Sequence, residues 1–87
     1  MKRKRTFEIM QIAGDYLVIP TDGSKASFVG TVVLNEVAAF LLKAMETDIS
    51  REQLLDRMVD TYAVERDAAD RDLGEILHTF ETLGLME

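Results

Sequence analysis

The sequence has no cysteine, one proline, one histidine and no apolar run that approaches a membrane span of ~20 residues. Without cysteine there is no disulfide, no thiolate metal ligand and no cysteine nucleophile, and a small domain of this kind fits a reducing cytoplasm. The basic stretch Lys2-Arg3-Lys4-Arg5 opens like a signal peptide, but Glu8, Gln11 and Asp15 interrupt the residues after it, so no signal core forms. Gly-rich phosphate loops, dinucleotide glycine patterns and G-x-S-x-G are absent, and Ser24, Ser27 and Ser50 all sit where turns or helix caps account for them. The lone His78 lies among Arg71, Glu75 and Thr82 on the polar side of a helical pattern, with no partner for acid–base or metal chemistry. The stretch "DRDLGE" at 70–75 lacks the third oxygen ligand and the loop spacing of a calcium site and sits inside a strong helical pattern. No enzymatic activity, cofactor or metal is expected.

What remains is an 87-residue chain, 47% hydrophobic and 30% charged, which is the composition of one ordinary folded domain spanning residues 1–87. Charge is uneven. Residues 1–45 hold six Lys/Arg against four Asp/Glu and residues 46–87 hold four against twelve, so the parts carry +2 and −8 of the net −6. An acidic second half argues against nucleic-acid phosphates as the main partner, and residues 1–5 read as a solvated, disordered basic tail.

The first third has period-two texture and the rest has period 3.6, which predicts an α+β domain with strands first and helices after. Phe7–Ile12 and Tyr16–Ile19 flank a turn at "AGD", Pro20 ends the second strand, and "TDGSKAS" leads to a third strand over Phe28–Val33. Three short consecutive strands imply an antiparallel meander. Asn35 is a favoured N-cap for a first helix running to about Glu46, with Val37, Phe40, Leu41 and Ala44 as its apolar stripe. Ser50 and Gln53 form a capping box, with Ile49 and Leu54 as a hydrophobic staple, for a second helix that turns Leu54, Leu55, Met58, Val59 and Tyr62 inward. A third helix starts near Glu65 and presents Ala69, Leu73, Ile76, Phe80 and Leu83, with Leu77 beside them. Gly84 and Leu85 fit a Schellman ending over Phe80. Gly30 inside a strand and Gly74 inside a helix are poor residues for their elements; each marks either a close approach of another backbone or a tolerated weakness.

The segments "VVLNEVAAFLLKAM" (32–45), "ISREQLLDRMVDTYAV" (49–64) and "DLGEILHTFETLGLME" (72–87) resemble the PqqD-like family of pyrroloquinoline quinone biosynthesis, also known as the recognition element of ribosomally made, post-translationally modified peptides. The likeness runs from about Met10 to Glu87. It consists of a strand leading into a Leu-Asn-x-x-Ala helix start, a capped second helix ending in Tyr, and an Asp-apolar helix closing on Gly-Leu. The basic tetrad and "PTDGSKAS" depart from the pattern. The resemblance implies a winged helix-turn-helix-like domain, three antiparallel strands followed by three helices (βββααα), without catalysis of its own. It implies a chaperone that holds the leader segment of a precursor peptide and presents it to a modifying enzyme, often a radical S-adenosylmethionine enzyme. The leader is then expected to add as a strand along Val29, Gly30, Thr31, Val32 and Val33, in a cleft whose other wall is Asp72, Leu73, Ile76 and Leu77.

The residues themselves agree with an open edge, since Phe28–Leu34 carries neither the charge nor the proline by which proteins guard edge strands. Leu73 and Ile76 fit a core stripe as well as a groove lining. Two other readings share the fold: a winged-helix DNA regulator, and an accessory subunit or homodimer that pairs through the same edge or through Leu34–Met45. Against the regulator, the second helix offers only Arg51 and Arg57 beside Glu52, Asp56 and Asp60.

Overall fold

A computed structural model describes residues 1–4, 7–20 and 32–87 of the chain. Its elements run in the order β1 (Phe7–Ile12), β2 (Asp15–Pro20), β3 (Val32–Leu34), α1 (Glu36–Ala44), α2 (Arg51–Tyr62) and α3 (Arg66–Thr82). The architecture is α+β, a three-stranded antiparallel sheet followed by three helices. Of the expected third strand, Phe28–Thr31 lies outside the described residues, and the described part runs one residue further, to Leu34.

Ala13 and Gly14 make the first turn, with φ of 50° and 88°. Positive φ at both positions is a type I′ turn, whose twist matches the strands it joins, and it sets Ile12 opposite Asp15. From there the register runs without a bulge through Met10↔Leu17, Ile9↔Val18 and Phe7↔Pro20. β3 continues it with Leu17↔Val33 and Val18↔Val32. Opposed residues share a face, so Phe7, Ile9, Val18, Val32 and Leu34 point inward to the helices. Met10, Leu17 and Val33 form a row on the opposite face.

The helix starts and stops reflect local chemistry. The Asn35 side chain accepts from the Ala38 N–H. Ser50 Oγ accepts from the Gln53 N–H at 3.1 Å while Gln53 Oε1 accepts from the Ser50 N–H at 3.0 Å, completing the capping box. Gly84, at φ 72°, closes α3. The Leu85 N–H donates to the Phe80 carbonyl at 2.9 Å and the Gly84 N–H to the Glu81 carbonyl at 3.1 Å, the two bonds of a Schellman motif.

Burial corrects the apolar stripes. On α1 the deepest residues are Ala38, Ala39, Leu41 and Leu42, continued by Met45, whereas the expected Val37, Phe40 and Ala44 are partly buried. α1 packs against both the sheet and α2, so two flanks are covered rather than one. On α3 the buried stripe is Ala69, Leu73, Leu77 and Phe80; Ile76 and Leu83 lie at its margin. α2 buries Leu54, Leu55 and Met58, with Val59 and Tyr62 partly covered. The Phe40 and Tyr62 rings meet edge to face at 5.5 Å between centroids. Burial, and then the Glu36 carboxylate, push the Tyr62 phenol above its ordinary value.

Two further expectations change. Met1–Lys4 are not a solvated tail. The Arg3 N–H donates to the Met45 carbonyl at 3.0 Å, Lys4 N–H to Leu85 at 2.9 Å and Glu87 N–H to Lys2 at 2.9 Å, and the Arg3 guanidinium lies 4.9 Å from the Phe7 ring centroid. Composition suggested solvation, but the backbone of this segment pairs beside Met86 and its long side chain covers an aromatic face. Gly74 faces a side chain rather than another backbone: a Cβ there would stand 3.4 Å from Arg51 Nη2. Arg51 bridges α2 to α3, donating to the Asp70 carboxylate and, at 3.1 Å, to the Asp70 carbonyl. Arg66 returns the link to Asp56 at 2.9 Å.

Candidate functional site

With strand order β1-β2-β3, β3 has a sheet neighbour on one side among the described residues. Its backbone polarity is set by the hairpin. A two-residue type I′ turn is flanked by a hydrogen-bonded pair, Ile12 and Asp15, and such pairs alternate along an antiparallel ladder, so Met10 and Leu17 also exchange bonds. The N–H and C=O of Leu17 therefore serve β1, and those of Tyr16 and Val18 serve β3. Val32 and Leu34 are thus bonded to β2, while the N–H and C=O of Val33 point away from β2 to the free edge.

The side chains at this edge are uncharged. Val32 is half-buried on the helical side, Leu34 is in the core, and Val33 is 56% exposed on the outer side. Val29, Gly30 and Thr31, expected to complete the strand, lie outside the described residues.

The four residues expected from α3 separate into two kinds. Leu73 (0% exposed) and Leu77 (6%) are core residues that hold α3 onto the rest of the fold. Asp72 is exposed and Ile76 half-buried, and these two reach the surface. An i, i+4 pair such as Asp72 and Ile76 shares one side of a helix, so they form a short strip beside the buried stripe. Sequence periodicity alone could not separate them from Leu73 and Leu77, because all four fall within one wide helical arc.

The outward-facing apolar row Met10–Leu17–Val33, exposed at Met10 and Val33 and half-buried at Leu17, was missed at the level of sequence. Its signal is nonetheless present: "EIMQI" and "YLVI" are apolar at consecutive positions, where a sheet with one wet face alternates. Met10 and Ile12 are 44% and 48% exposed. Glu8 and Asp15, in the rows of Ile19 and Ile12, stand at opposite corners of this outer face.

Elsewhere the described surface includes open polar recesses. One of about 410 Å³ is lined by Arg3, Glu8, Ile9, Lys43 and Glu46, and one of about 310 Å³ by Thr47, Asp48, Ile49, Gln53, Asp56 and Arg57. Neither is lined by β3 or α3. Asp48 is held below the ordinary carboxylate range by its hydrogen bond from the Met1 amino group. His78 is exposed on α3, and no cluster of His, Asp or Glu among the described residues is arranged to hold a metal. No helix among the described residues is long and apolar enough to cross a membrane.

The family model for coenzyme PQQ synthesis protein D (PqqD) matches residues 17–86. Among solved structures, one described as "TbiB1 in Complex with the TbiA(beta) Leader Peptide" is similar with a TM-score of 0.75 and 20% sequence identity. That match covers 100% of this chain and 95% of the other, and at such identity it is a likeness of fold. No curated protein matches the sequence.

Proposed function

The chain belongs to the PqqD family, and from that premise we propose that it is a non-catalytic binding module for the leader segment of a ribosomally made precursor peptide. The observation that carries the reading is the family match from β2 through the end of α3. It falls on a chain whose β3 directs Val33 N–H and C=O away from β2, to an edge with no neighbouring strand and no charged side chain among the described residues of β3. The solved relative of the same fold, TbiB1, is described in complex with a leader peptide, which supports a peptide as the class of partner.

In this reading the leader pairs with Val29–Val33 and its inward side chains meet the α3 strip of Asp72 and Ile76, backed by Leu73 and Leu77. Backbone bonds supply affinity and alternate side chains supply selection. About five bonds at roughly 1 kcal/mol each and two or three apolar side chains at about 2 kcal/mol each give about 10 kcal/mol gross. Ordering the peptide removes about 2–5 kcal/mol of this, leaving a complex in the high-nanomolar to sub-millimolar range. The bound precursor is then presented to a modifying enzyme, for which a radical S-adenosylmethionine protein is the family's frequent choice. A DNA-binding reading is weakened by the engagement of Arg51 with Asp70, which leaves Arg57 among Glu52, Asp56 and Asp60 on α2.

An amide NMR titration with the leader of the precursor encoded beside this protein tests the reading. The expected result is shifts concentrated in β3 and along Asp72–Leu77. Shifts confined to α2, or a response to duplex DNA in place of the peptide, would overturn it.

A further inference from the structure

Resting on strand addition to β3, we infer that Val33 fixes the register of the bound peptide and that the peptide residue opposite it is apolar and faces outward, away from the helices. The added strand is thereby read on both of its faces.

Bond parity sets this register. Val32 and Leu34 direct their N–H and C=O groups to β2, so among the described residues of β3 Val33 alone offers both groups to an incoming strand. In the antiparallel sense of the rest of this sheet, one peptide residue exchanges both bonds with Val33. Directly opposed residues share a face, and the face of Val33 is the outer one, with Leu17 and Met10 in line behind it. The peptide residue therefore extends the row Met10–Leu17–Val33 into a fourth strand and covers the exposed flank of Val33. Its neighbours on either side point inward, beside Val32 and Leu34. No member of the row carries a charge; the acidic corners Glu8 and Asp15 belong to other rows. A charged peptide residue at this position would thus find no charge partner among the described residues of its row. The ligand class is a segment with three consecutive apolar residues, the middle one β-branched or aromatic, rather than one that alternates apolar and polar.

The experiment is selection of displayed random 15-residue peptides on the intact protein, followed by affinity measurements on a selected peptide against wild type, Val33→Pro and Val33→Glu. Thermal melts verify that each variant is folded. Val33 is exposed and its N–H lies outside the β2 ladder, so both variants are expected to fold. The expected outcome is an apolar triplet, a drop of about tenfold or more with Val33→Pro through the lost edge bond, and a loss of about two- to fivefold when the middle residue becomes Ala. A Lys at the middle position should weaken binding to wild type and recover it on Val33→Glu. If binding falls with Val33→Pro but the middle position accepts Lys as well as Val, the register inference fails and strand addition stands. If folded Val33→Pro binds like wild type, or no peptide is selected, strand addition itself fails and the inference goes with it.

Discussion

The two walls assigned to the peptide are built in opposite ways. The described part of β3 pairs with one strand among the described residues and leaves Val33 exposed, whereas α3 is a helix of 17 residues whose stripe of Ala69, Leu73, Leu77 and Phe80 is buried. One wall offers backbone; the other offers a rigid support with a narrow exposed margin. On the proposed reading, substitutions in the buried stripe of α3 report chiefly on folding and those on the outer side of β3 chiefly on peptide binding.

Leu73→Ala is the strongest way to expose this contrast. It opens a cavity under a fully buried side chain and should lower stability by about 2–5 kcal/mol in urea unfolding. A loss below about 1 kcal/mol would move Leu73 from scaffold to groove. Next comes the proline pair on β3. Val32→Pro removes a donor bonded to β2 and should cost about 1–3 kcal/mol, with Val33→Pro markedly less harmful. The reverse order in thermal melts would invert the bond parity derived from the hairpin.

Gly74→Ala acts on α3 in the other direction. It gains up to about 1 kcal/mol of helix propensity, since the new Cβ would meet Arg51 Nη2 at the margin of ordinary contact. Destabilisation instead would mean that the Arg51–Asp70 bridge needs the missing side chain. The smallest effect is Val33→Thr, an exposed exchange of similar shape expected to change stability by less than about 0.5 kcal/mol. A larger loss would show that the outer face of β3 is already covered in the free protein.

Most of the fold was legible because its signals are local. The strand-then-helix order, Asn35, the Ser50–Gln53 box and the Gly84 ending all act over a few residues, and the structure bears them out. The candidate site was legible only in part. Val33 and the free edge came from the uncharged β-branched run and the meander, but α3 mixed exposed Asp72 with buried Leu73 because their separation depends on what α3 packs against. The apolar outer row also went unread, since a strand apolar on both faces looks like a buried strand until its partners are known.

By itself the sequence determined the element types, their caps and turns, and the acidic, cysteine-free surface that narrows the chemistry. Those features depend on the propensity and hydrogen bonding of neighbours in the chain. Only the tertiary structure decided which flank of α1 and α3 is buried, that Arg51 fills the space beside Gly74, and that Met1–Lys4 is anchored beside Leu85 and Met86. Burial and long-range pairing are set by residues tens of positions apart, whose meeting no local pattern records.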